Sequence, residues 1–232
     1  MSGSMVQVKT PDGAFGGYLS VPPQKGPGVV VIQEIFGVNT WVRTVCDMLS
    51  RAGYVALAPD LFWRMKPNVE LHPFFPEDFK VALDYYGKFN VDNGMKDIQA
   101  SISFLRSSQN CTGKVGTIGF CLGGTLSYLA ATRTDSDANS SYYGVGIENL
   151  LGEAGQIKKP LQLHIAGADP YVPKDVLAKL ESGLKVTPGV EILVYPGLDH
   201  GFARDTDPNH YNAEGTKLAH GRSLEMFKAA LR

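Results

Sequence analysis

The chain has 232 residues, with 22 Lys and Arg against 23 Asp and Glu, a formal net charge of −1 and a 44% hydrophobic content. A chain of this length buries a full core without disulfides or metals. Its balanced charge, with no long single-sign block, excludes a nucleic-acid binder, which needs a basic stripe to neutralise phosphates.

The chain opens on "MSGSMVQVKTPDG", which carries no apolar signal core, and residues 1–4 read as a disordered or cloning-derived leader to one domain over 5–232. The segment from Met5 to Pro22 holds two short alternating runs around Pro11-Asp12-Gly13, an opening β-hairpin. "PGVVVIQE" (27–34) is a continuous β-branched run, as in a strand buried on both faces. Helical spacing follows over 40–53 with Gly53 as its stop, then the strand "YVALAP". A proline-rich excursion leads to helices near 77–89 and 94–107. Strand 115–120, helix 122–132, a short strand at 140–143 and strand 161–167 come next. Helix 174–183, strand 190–196 and a helix over about 209–231 complete the chain. Strands that alternate with helices form a mostly parallel sheet covered on both faces, whose sites lie at the carboxyl ends of the strands.

No apolar run approaches the roughly 18–20 residues that span a bilayer, so a soluble protein is expected, with no membrane partner. Cys46, Cys111 and Cys121 are odd in number and scattered, with no CxxC pair. They suit neither a disulfide framework nor a zinc site, and a reducing cytoplasm fits them best. No histidine pair has metal-ligand spacing on a helix, so no metal is expected. A monomer is the default expectation, since no extra interface element is visible.

Gly119-Phe120-Cys121-Leu122-Gly123 joins a strand to a helix with no connecting loop. Gly-x-Cys-x-Gly is the cysteine form of the nucleophile elbow, a strained turn where positions two before and two after tolerate little side chain. The helix N-terminus favours a thiolate, and the Leu122 N–H is aimed where an oxyanion would develop. The plainer reading is a buried cysteine acting as a small hydrophobe.

Such a thiol needs a base, and the base needs a third group to hold it. In elbow-bearing sheets the chain order is nucleophile, acid, histidine, each just past a strand. His72 precedes the elbow, His164 lies inside a strand, and His210 and His220 fall in the last helical stretch on a solvated face. His200, in "VYPGLDHGFAR", has the required place. Asp169 lies immediately beyond the strand "LQLHIAG", although a turn or cap aspartate is its plainer role. Asp199, adjacent to His200, is poorly placed to hold that imidazole.

Glu34 follows a buried strand and, if it faces the site, can hold the thiol neutral and then take its proton. The Ile35 N–H is a second candidate oxyanion donor. Arg204 can clamp a substrate carboxylate with both arms or be a surface ion pair.

"QEIFGVN", "APDLF", "VGTIGFCLGG", "YYGVG", "AGADPYVP" and "HGFAR" together resemble the dienelactone hydrolase (carboxymethylenebutenolidase) family over nearly the whole chain, from about Val6 to Leu231. The resemblance implies an α/β-hydrolase fold, a Cys121–His200–Asp169 triad, Glu34 interacting with the resting thiol, and oxyanion N–H groups from Leu122 and Ile35. It implies cofactor-free lactone opening through an acyl-enzyme, yielding maleylacetate from the dienelactone in chlorocatechol breakdown. The expected ligand is a small lactone or ester, anionic as in the family, with Arg204, Phe36 and Tyr143 among its contacts. The family's second substrate-holding arginine is missing: "PEDFKVALDYY" offers Phe79 and Lys80 there, and Lys80 supplies a point charge rather than a fork. The serine usual beside the loop histidine is Gly201. The alternatives are a general carboxylesterase or thioesterase of the same fold, and a non-catalytic small-molecule binder or thiol sensor.

Overall fold

The computed structural model describes residues 3–232. Its strands are β1 (Ser4–Thr10), β2 (Gly13–Ser20), β3 (Gly26–Ile32), β4 (Val55–Pro59), β5 (Cys111–Phe120), β6 (Ala138–Tyr142), β7 (Leu161–Ala166) and β8 (Val190–Tyr195). The helices are α1 (Thr40–Arg51), α2 (Pro76–Lys88), α3 (Val91–Ser107), α4 (Leu122–Arg133), α5 (Lys174–Leu184) and α6 (Ala213–Ala230). The eight strands form one sheet in the order β1-β2-β4-β3-β5-β6-β7-β8. β1 and β2 pair antiparallel, as does β2 with β4, and every pairing from β4 to β8 is parallel. This is the mixed sheet of an α/β-hydrolase fold with its expected N-terminal hairpin.

Alternation along the central strands divides the core. Val30 and Ile32 pack on one face with Ile98, Ile102, Leu126 and Leu129 of α3 and α4. Val29 and Val31 point the other way, toward Trp41, Val45 and Leu49 of α1 and Phe227 of α6. A strand sends successive side chains to opposite faces, so a strand covered on both must be apolar at every position.

Local chemistry sets the helix starts. The side chains of Asn39, Asn90 and Asn212 accept from the N–H groups of Val42, Asn93 and Gly215, capping α1, α3 and α6. α2 begins instead with Pro76, whose missing N–H costs nothing there. Gly53, at φ +95°, carries the chain out of α1 as expected.

Four sequence expectations change. Ser4 is already in β1 and the Gly3 N–H donates to the Tyr18 hydroxyl at 2.7 Å, so ordered structure reaches into the supposed leader. Its first two residues lie outside the described residues. α6 begins at Ala213, after the Asn212 cap, and not near 209. Two 3₁₀ turns, Ile147–Asn149 and Leu151–Gln156, occupy a stretch to which the sequence reading assigned no element. His220 is no solvated residue: its Nε2 is buried without a partner, and burial pushes its pKa down to about 4. Among the described residues no helix is long and apolar enough to cross a membrane.

Candidate active site

The carboxyl ends of β3, β5, β7 and β8 place Glu34, Cys121, Asp169 and His200 at one end of the sheet. Cys121 is the N-cap of α4, with φ +54° and ψ −115°, a conformation that costs a non-glycine residue about 1–3 kcal/mol. The surroundings enforce it. The Cys121 N–H donates to the Tyr142 carbonyl at 3.0 Å, and neither flanking glycine has room for a side chain: a Cβ on Gly119 would meet the Gly123 carbonyl, and one on Gly123 the carbonyls of Ile32 and Gln33 at the end of β3. The N–H of Leu122, at the first position of α4, has no intrahelical acceptor.

The Asp169 carboxylate is buried, and its two oxygens are separately engaged. Oδ2 lies 2.7 Å from His200 Nδ1, and Oδ1 accepts from the Tyr171 N–H at 2.8 Å. The imidazole sits between the rings of Tyr143 and Tyr171, each with its centroid 5.0 Å away in an edge arrangement. Burial alone would push the His200 imidazolium down. The neighbouring Cys121 charge and the hydrogen bond and charge of Asp169 outweigh it and raise the pKa to about 10. The Asp199 carboxylate accepts from the backbone N–H of His200 and makes no hydrogen bond to its imidazole among the described residues, as its adjacency suggested.

A cleft of about 600 Å³, open to solvent, lies over this constellation. Cys121, His200, Leu122 and Arg204 line it from the sheet side, and Ile35, Phe36, Phe79, Leu83, Tyr86 and Val145 contribute apolar wall. Burial and the charge of Cys121 push the Tyr86 phenol up from its ordinary pKa. Phe79, Leu83 and Tyr86 come from one stripe of α2, at i, i+4 and i+7. That spacing is visible in the sequence, where it reads as an ordinary core-facing pattern.

Several expected contacts differ. Glu34 makes no hydrogen bond to the thiol among the described residues: both its oxygens accept from Arg204 Nη1, at 2.8 and 2.9 Å. A buried guanidinium attracts a carboxylate far more strongly than a thiol does. Arg204 Nη2 donates to Asp207 at 2.8 Å, so both terminal nitrogens of the expected substrate clamp already have a partner within the protein. Burial works against ionising Asp207, but hydrogen bonds from Arg204 and His210 hold its carboxyl below the usual range. Lys80 is exposed and does not line the cleft, because the α2 stripe that faces inward begins one residue earlier. Tyr143 is fully buried behind His200, with φ +38° and an unpartnered hydroxyl, and does not line the cleft. Phe36 lines the cleft as expected, with the Arg204 guanidinium 5.5 Å from its ring centroid. His164 is a core residue, bonded to Tyr195 and Ser223. Among the described residues no group of three or more His, Cys, Asp and Glu is arranged to hold a metal.

The dienelactone hydrolase family model matches residues 15–231. The chain belongs to the dienelactone hydrolase family. An Azospirillum brasilense protein provisionally named carboxymethylenebutenolidase is 40% identical over 229 residues, 95% of each chain. The carboxymethylenebutenolidase of Pseudomonas sp. strain P51 is 35% identical, over 93% of this chain and 90% of that one. A solved structure from Klebsiella pneumoniae, provisionally named a dienelactone hydrolase, superposes with a TM-score of 0.86 at 26% identity, covering 97% and 98% of the two chains. As a dienelactone hydrolase family member, this chain is a hydrolase of ester or lactone bonds.

Proposed function

We propose that this protein cleaves its lactone or small-ester substrate through an acyl-enzyme on Cys121. The observation that carries the reading is the Asp169–His200 pair at 2.7 Å, opening on the same cleft as the elbow cysteine. Cys121 attacks as thiolate, and its sulfur bonds to the carbonyl carbon while the carbonyl electrons move onto oxygen. The N–H groups of Leu122 and Ile35 hold that oxyanion. As the tetrahedral intermediate collapses, the His200 imidazolium gives its proton to the departing alkoxide, which in a lactone stays attached through the acyl chain. Neutral His200 then takes a proton from water, whose oxygen attacks the thioester and expels Cys121 as thiolate. Asp169 fixes the ring orientation and offsets the imidazolium charge throughout. The carboxymethylenebutenolidases among its relatives make lactone opening the first reaction to assay.

Rapid quench with a chromogenic ester, followed by intact-protein mass spectrometry, tests this reading. An adduct of the acyl mass that maps to Cys121 is expected, with turnover lost in Cys121→Ala. Near-wild-type turnover by Cys121→Ala would overturn it.

A further inference from the structure

The cleft has two unlike halves. One is walled by α2, whose Phe79 packs on Phe36 after β3, with ring centroids 6.1 Å apart, and whose Tyr85 stacks on Phe62 after β4 at 5.3 Å. The other is bounded by Tyr171, which follows β7 and whose ring centroid lies 5.0 Å from that of His200. The sheet order keeps the halves apart. β3 and β4 lie on one side of β5, and β6, β7 and β8 lie on the other, with Cys121 at the end of β5 between them.

The direction of the reaction assigns each half a part of the substrate. A tetrahedral intermediate carries the sulfur, the oxyanion, the leaving oxygen and the acyl chain, each in its own direction. The oxyanion points to the N–H groups of Leu122 and Ile35. The leaving oxygen takes its proton from His200, so the alcohol portion faces the imidazole and the Tyr171 half. With three directions fixed, the fourth sends the acyl chain away from His200 and toward α2. What it meets there is apolar and uncovered. Phe79, Leu83 and Tyr86 are exposed side chains on one stripe of a helix in which Ala82 is buried. A contiguous exposed apolar surface at a cleft marks a place where a ligand is covered, and residues four apart on a helix lie about 6 Å apart, the reach of about four methylenes.

We infer that α2 is the acyl-binding wall, and that the preferred substrate is an ester or lactone whose acyl portion carries an apolar arm of about four carbons or more, laid along Phe79 and Leu83. The inference rests on the hydrolytic reading above and names the acyl portion of its substrate. It concerns the apolar arm alone. Arg204, beside the same wall and with N–H groups to spare on Nε and Nη2, can still serve a polar group elsewhere on the acyl portion.

The p-nitrophenyl esters of acetate and hexanoate provide the test, with each kcat/KM divided by that ester's rate with hydroxide. Hexanoate is expected to exceed acetate by about tenfold. Four fully buried methylenes would give about 200-fold, and a half-covered wall gives about half of that on a logarithmic scale. A hexanoate value equal to or below that of acetate overturns the inference. Leu83→Ala puts a good helix former at an exposed position and should cut the ratio about fourfold, the worth of about one methylene. Tyr171→Leu, on the alcohol side, should leave the ratio where it is. A ratio unmoved by Leu83→Ala, or lowered as far by Tyr171→Leu, overturns the division of the cleft.

Labelling of Cys121 by N-methylmaleimide and N-hexylmaleimide, followed by mass, reads the wall without turnover. The hexyl reagent is expected to react faster, and Leu83→Ala to narrow the gap; the absence of a gap overturns the wall. If neither ester is cleaved while the labelling gap appears and narrows, the hydrolytic reading falls and the apolar wall stands. If both esters are cleaved with a flat ratio, the wall falls and the hydrolytic reading stands.

Discussion

A Cβ built on Gly119 would lie 1.9 Å from the carbonyl oxygen of Gly123, across the turn that presents Cys121. Both partners are backbone at a junction of strand and helix, so neither can yield without moving the sulfur. Gly119→Ala is expected to cost about 3 kcal/mol or more, at the upper end for overpacking, and to lower Tm by about 6–12 °C for a chain of this size. Gly221, inside α6, has open space where a Cβ would project, with nothing within 4 Å and no positive φ. There alanine is expected to stabilise by about 0.5–1 kcal/mol through helix propensity alone. Thermal denaturation of the two variants checks both signs.

Removing the guanidinium between Glu34 and Asp207 strands the fully buried Glu34 and leaves Asp207 with its hydrogen bonds from His210 and the Asn209 N–H. Arg204→Met is expected to destabilise by about 3–5 kcal/mol, the usual cost of breaking a buried pair from one side. Adding Glu34→Gln should recover part of that loss, since the deeper charge is then gone. Chemical denaturation of the single and double variants measures the recovery, and a purely additive result would contradict the pairing.

Acid should weaken the fold through two histidines. Burial pushes His164 down to about 3 and His220 to about 4, from an ordinary 6.5. Below pH 6.5 the unfolded chain takes up protons that the folded chain refuses, so stability falls as pH falls. Between pH 7 and pH 5 the loss is about 2 kcal/mol for each histidine by linkage. His220→Gln should remove its share of this pH dependence, seen by comparing denaturation midpoints at the two pH values.

His200 moves the opposite way. Its pKa is raised to about 10, so its stabilising charge interactions are complete below 6.5 and are lost as pH rises through 10. Ester turnover should accordingly persist into alkaline solution and decline near pH 10, as the proton donor for the leaving alkoxide is lost. Asp169→Asn deletes one of the raising influences, so this alkaline limb should move to lower pH. Its kcat should fall roughly 10²–10⁴-fold, and pH profiles of kcat/KM for both proteins provide the check.

The parallel core was readable because β3 and β4 are continuous apolar runs, and the elbow because two glycines frame a cysteine. His200 and Asp169 followed from chain order. β6 was seen only at its end because "ANSSY" has no apolar pattern. The structure buries it whole, and the polar groups that find partners from distant segments include Ser140, which meets Ser223, and Asn139, which accepts from Thr117. Nothing local announces such partners. The same limit hid the Arg204–Glu34 pair, whose members are 170 residues apart. Lys80 went astray by one position on a helix, where a single step turns a side chain through about 100° and out of the cleft.

Only Ala82 of α2 is buried, and Phe79, Leu83 and Tyr86 are 38%, 49% and 44% exposed even as they wall the cleft. The reacting groups hang from sheet ends and a backbone junction that tolerate almost no change, whereas the acyl-facing surface sits on a helix whose exchangeable side chains bear little of the fold's weight. Substitutions there sit near the stability-neutral range of surface positions. Selection can therefore retune what the enzyme accepts without risking the machinery that cuts it, which makes α2 the natural place to diversify for new substrates.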